Sequence, residues 1–177
     1  MRKRSATWLA LLLWPLVSLA NQVDIPELGI RITILPEAAT RPQVSAHAGG
    51  HEATTHLGAA TLSIYREDDP VPTGSDVADP NYRASLDGKF GGPVESKDQG
   101  APTGVGGHSG WTVVDLREPS KSVQGGYTCI TYVIVDQHLY RLTVSAGATD
   151  PRPPEFDALV RALSGITFEQ VQRANRG

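Results

Sequence analysis

Residues 126–135 read GYTCITYVIV, and residues 138–146 read HLYRLTVSA. The first run is rich in Tyr, Thr, Val and Ile and apolar on both of its alternating faces. That is the pattern of a strand placed centrally in a sheet and buried on both sides. The second run alternates. Tyr140, Leu142, Val144 and Ala146 share one face, while Arg141, Thr143 and Ser145 share the other, as in a half-buried strand. Asp136 and Gln137 stand between the runs and predict a hairpin turn, although they are not the favoured Asn-Gly or Asp-Gly pair.

Working outward, Pro151, Pro153 and Pro154 precede a helix pattern with Phe156, Leu159, Val160 and Leu163 at i, i+3, i+4 and i+7. Gly165 ends it, Ile166 to Phe168 adds a short strand, and the polar tail from about residue 170 is expected to fray. Upstream, Trp111 to Arg117, Ala60 to Arg66 and the Ile30, Ile32, Ile34 alternation predict three more strands, the last stopped by Pro36. Asp79 before Pro80 is a helix start. Tyr82, Leu86 and Phe90 then form one apolar stripe, with Gly91 and Gly92 as its stop. Residues 37–58 show no period, and Pro93 to Gly110 is polar and Gly-rich; both read as loops. Strands followed by separated helices imply an α+β domain: a mainly antiparallel sheet of five or six strands, with the C-terminal helix packed on one face.

The N-terminus sets the compartment. Arg2, Lys3 and Arg4 precede the apolar run from Trp8 to Val17, and Ser18 and Ala20 put small residues at −3 and −1. This is a secretory signal peptide pattern. It predicts a leader at 1–20, a single domain at 21–177 and a periplasmic or secreted protein, with no membrane span. The leader holds three of the 16 basic residues and none of the 19 acidic ones, so the remainder carries −6. An acidic chain argues against nucleic acid and favours a basic protein partner. The single Cys129 lies in the apolar run, so neither a disulfide framework nor a cysteine zinc cage is expected.

His47, His51 and His56 cluster in the sequence beside Glu52. The five-residue step from His51 to His56 breaks the zincin spacing, and Gly49 and Gly50 disfavour a helix there. A polar loop with exposed histidines is the expectation. Gly107-His108-Ser109-Gly110 resembles a nucleophile elbow, but Trp111 stands where that motif needs glycine. Asp68, Asp69, Asp76 and Asp79 have no EF-hand register. No catalytic residue, metal ligand or cofactor is assigned. Recognition is expected on loops around the 80–90 helix, with Asp68, Asp69, Asp76, His108 and Trp111 as partner-binding candidates and Trp111 equally a core residue.

The strand opening at Gly110–Trp111, the 126–146 hairpin, Tyr140-Arg141-Leu142, the Pro break, the Phe156-x-x-Leu159 helix and Ile166-Thr167-Phe168 together resemble the Mog1/PsbP-like class of small α/β domains. The resemblance covers residues 110–169 and extends to the Gly29–Pro36 strand. It implies a partner-binding or assembly role and brings no shared catalytic set. Exported bacterial toxin-immunity proteins include similar small single-domain proteins. Three functions follow as expectations: an inhibitor or immunity protein against a periplasm-acting toxin, an envelope assembly or accessory factor, and a hydrolase or metal-dependent enzyme built on the histidines.

Overall fold

The computed structural model describes residues 21–90, 100–117, 126–147 and 152–169. The expected leader, the Gly91–Gly92 stop, the first part of the 93–110 stretch, Pro151 and the polar tail lie outside these residues. The described elements run β1 Asn21–Ile25, β2 Ile30–Leu35, β3 Gln43–His47, β4 Gly50–Leu57, β5 Ala60–Glu67, α1 Pro80–Phe90, β6 Ala101–Val105, β7 His108–Arg117, β8 Gly126–Val135, β9 His138–Gly147, α2 Pro154–Leu163 and β10 Ile166–Phe168. Seven strands form one sheet in the order β3-β4-β5-β9-β8-β7-β6, and β1-β2-β10 form a second, smaller sheet. All pairings are antiparallel. The molecule is therefore α+β, and its sheet system is larger than the expected five or six strands.

The β8–β9 hairpin explains the layering. Tyr127, Cys129, Val133 and Val135 of β8 are buried on one face, with Tyr140, Leu142 and Val144 of β9 beside them. Phe156, Leu159 and Leu163 of α2 cover that face together with Ile30, Ile32 and Ile166 of the small sheet. Ile130, Tyr132 and Leu139 are buried on the opposite face under Leu86 of α1 and Val77 of the loop before it. One Tyr staples the two sheets: the Tyr140 hydroxyl donates to the Leu28 carbonyl at 2.7 Å inside the core. Burial pushes its pKa up, which keeps it a neutral donor.

Local chemistry sets the element ends. Asp79 Oδ1 accepts the Asn81 N–H at 2.9 Å, capping α1 as its Asp-Pro start predicts. After α2, Gly165 is needed for close approach. A Cβ there would sit 2.3 Å from Ile34 Cγ1, and the Gly165 carbonyl accepts both the backbone N–H and the hydroxyl of Thr33 at 2.9 Å. That contact carries the chain straight into β10 along β2.

Two expected loops contain strands. Residues 37–58 hold β3 and β4. β3 is exposed throughout, and the inward face of β4 carries Ala53 and Thr55, small or polar residues that nevertheless bury, before Leu57 closes it. The Thr55 hydroxyl is satisfied by the Thr40 carbonyl, and Thr40 also receives the His56 N–H at 2.8 Å, clamping the chain that enters β3. Residues 101–105 form β6, an edge strand whose Pro102 and Gly104 are residues that strand patterns exclude.

Two outcomes follow. Leu159 is fully buried between α2 and the large sheet, so Leu159→Ala should lower stability by about 2–5 kcal/mol in denaturant unfolding. Asp136 and Gln137 both hold positive φ, 48° and 66°, at a cost of roughly 1–2 kcal/mol per residue. Gln137→Gly should relieve part of that strain. After the extra chain entropy of glycine, a net gain of about 0.5–1 kcal/mol is expected by the same assay.

Candidate functional site

The antiparallel order gathers four connections at one end of the seven-stranded sheet: the Ala48–Gly49 turn, the loop from Asp68 to Asp79, the Asp136–Gln137 turn and the Gly106–Gly107 turn. The long loop is tied down on both sides. The Asp68 N–H donates to the Gly49 carbonyl at 3.0 Å, and the Val71 N–H donates to the Gln137 carbonyl at 2.7 Å. Val77 is buried beneath α1, so the loop has its own hydrophobic anchor.

Four of the five candidate residues meet at this end or along its loop, in different roles. Asp68 Oδ1 accepts from His51 Nδ1 at 3.0 Å and from Arg66 Nη2 at 3.3 Å. Its charge is therefore largely answered within the molecule. Asp69 is exposed. Asp76 is exposed but spends one oxygen on the Ala78 N–H at 2.8 Å. His108 opens β7 and packs edge-on against Phe168, ring centres 5.4 Å apart. Trp111 lies on the opposite face from His108, partly buried against the α1 cluster, with the Arg83 guanidinium 3.6 Å over its ring. Arg83 is itself held by the Val77 and Ala78 carbonyls, so Trp111 is part of the support for α1 and the loop.

The histidines diverge. His51 and His56 are five apart on β4 and fall on opposite faces of the strand. His47 Nε2 lies 3.2 Å from Glu52 Oε2, His51 serves Asp68, and His56 Nδ1 lies 3.0 Å from the Thr61 hydroxyl. Among the described residues, no three His, Cys, Asp or Glu side chains converge as a metal site would require, and no helix is long and apolar enough to cross a membrane.

Two contributions are not legible in the sequence: the display of Asp136, and the pairing of His51, a residue of the histidine cluster, with Asp68. Asp136 is exposed at the tip of the β8–β9 turn, where only its turn role was read. His51 orients Asp68, a contact that needs the β4–β5 pairing hidden in the featureless 37–58 stretch. The exposed groups at this end include the Asp69 and Asp136 carboxylates and the Gln137 amide, with Lys89 paired to Glu67 and His47 beside Glu52 at its margin. Comparison with protein-family models and with curated proteins finds no match to this chain.

The anchoring of Asp68 has a pH signature. The His51 hydrogen bond, and then that of Arg66, hold its carboxyl below the ordinary aspartate range. Folding thus favours the ionised form. The contribution is full above the unfolded carboxyl's value of about 3.9 and fades as pH falls through the lower folded value. An NMR titration should find Asp68 titrating below a free aspartate, with the Asp68 amide losing exchange protection as it protonates. Asp68→Asn should abolish that acid-linked loss.

Proposed function

We propose that this chain is an exported, non-enzymatic protein-binding module, most concretely an inhibitor or immunity protein against a toxin that acts in the periplasm. The observation that carries the reading is the double tether of the acidic loop, to Gly49 and to Gln137. It presents Asp69 and Asp136 on a scaffold already ordered before any partner arrives, and preorganisation of this kind lowers the entropy cost of association. Removal of the 1–20 leader leaves a net charge of −6, which favours encounter with a basic surface. A second reading, an envelope assembly or accessory factor, rests on the Mog1/PsbP-like resemblance of residues 110–169.

The test is affinity capture from envelope extract, followed by reconstitution with the retained protein. A one-to-one complex that blocks the partner's activity is expected. Asp69→Lys should slow association several-fold at low salt and leave dissociation nearly unchanged, because exposed charges steer encounter more than they hold the complex. High salt should produce the same slowing in the unaltered chain. Ser109→Ala should leave the complex intact. A small-substrate turnover abolished by Ser109→Ala would refute the binding reading.

A further inference from the structure

We propose that the cavity between β1 and residues 39–41 binds a small organic carboxylate with an apolar body, its carboxylate seated on the Arg41 guanidinium. The cavity holds about 450 Å³, within the range of about 300–1,000 Å³ usual for small-molecule sites. One wall is β1 from Asn21 to Asp24. The other is Ala39, Thr40 and Arg41, and Leu35 of β2 also lines the space. None of these residues belongs to the loop end, so the site is independent of the protein-binding surface proposed above.

Both walls are fixed before a ligand arrives. The Thr40 N–H donates to the His56 carbonyl at 2.8 Å, and the Thr40 hydroxyl oxygen receives the His56 N–H at 2.8 Å. The Ala39 N–H closes a turn on the Pro36 carbonyl at 2.9 Å. Across the cavity, Asn21 and Val23 pair with Leu35 and Ile32 of β2. No backbone hydrogen bond joins β1 to residues 39–41, so the space between the walls is not bridged. Walls held in this way spare a ligand the entropy cost of ordering them.

The charge of the lining selects the ligand. The Asp24 carboxylate takes Arg31 Nε at 2.5 Å and a side-chain bond from Gln22, so its charge is answered within the molecule. Arg41 is the opposite case. It is exposed and has no ion-pair partner among the described residues, unlike Arg31, Arg66 and Arg152. The unanswered charge in the cavity is therefore positive. A planar guanidinium pairs best with a planar oxyanion that can accept two hydrogen bonds, and the exposed Asn21 amide stands on the same lining as a further donor. Val23, Leu35 and Ala39 add apolar contact. Inorganic phosphate or sulfate would leave that contact unused, whereas a carboxylate with an alkyl body covers it. Such a group comes from a free acid or from the C-terminus of a peptide ending in an apolar residue.

Hexanoate titrated into the chain at low salt, followed by amide NMR, should give saturable shifts at residues 21–24 and 39–41. Hexanol and hexylammonium match its chain but not its charge, and acetate lacks its apolar body. Each should bind at least tenfold more weakly. Arg41→Gln should weaken hexanoate about tenfold or more, the order that a hydrogen bond to a charged group contributes, and should leave the melting temperature unchanged because Arg41 is exposed. Asp24→Asn should not weaken hexanoate, because it removes a like charge from the wall. A short peptide ending in a free leucine, compared with its C-terminal amide, separates the two sources. Tighter binding of the free peptide than of hexanoate assigns the site to peptide C-termini, and the reverse assigns it to free acids. Unchanged affinity in Arg41→Gln, weaker binding in Asp24→Asn, a preference for hexylammonium, or the absence of saturable shifts with both hexanoate and the peptide would each overturn the proposal.

Discussion

The structure depends on one constraint: the β8–β9 hairpin is apolar on both faces and must be covered twice. A sheet with one apolar face needs a single layer over it. Here Cys129, Val133 and Val144 face α2 and the small sheet, while Ile130, Tyr132 and Leu139 face α1. The two covers are built differently. The α2 side is a large aliphatic core closed by Tyr140 reaching Leu28. The α1 side is smaller and held partly by stacked cations, Arg83 on Trp111 and Arg141 near Phe90. Long cationic stems over aromatic faces extend an apolar layer that few aliphatic residues supply.

That asymmetry explains what could be read from the chain. Where burial is dense, the pattern is strong. The limits of β8, the β9 alternation, the α2 stripe and the short β10 all stand in the sequence as the structure has them. So does the Asp79-Pro80 start of α1, because a cap is a local signal that needs no tertiary context. The strands that escaped notice lie at sheet edges or in the small sheet. β3 is wholly exposed, β6 carries proline and glycine, and β1 is exposed over much of its length. An edge strand owes its conformation to a neighbour's hydrogen bonds more than to its own side chains, so its residues carry little period. β4 is the intermediate case: it buries Ala53 and Thr55, which a hydrophobic pattern does not register.

The same reasoning applies to the loop end. Asp68, Asp69, Asp76 and His108 were legible as loop residues near α1, but their division of labour was not. Asp68 and Asp76, although exposed, are committed to structural bonds with His51, Arg66 and the Ala78 amide. Asp69 keeps its charge for the solvent, and Asp136 joins it from a turn. A composition-based view counts every carboxylate in such a loop equally. Hydrogen-bond geometry separates those that build the surface from those that are displayed on it.

Rigidity and display are linked through strain. Asp136 and Gln137 are held at positive φ without glycine, and the Gln137 carbonyl is the acceptor that fixes Val71 of the acidic loop. A glycine in that turn would cost less locally, but it would also widen the range of turn geometries open to the hairpin tip. The side-chain-bearing turn narrows that range, and through the Val71 bond the restriction passes to the loop. Conformational energy spent in the β8–β9 turn thus reappears as order in a loop whose own apolar anchors are Val71 and Val77. On this argument the hairpin that dictates the layering of the fold also disciplines the surface at its tip.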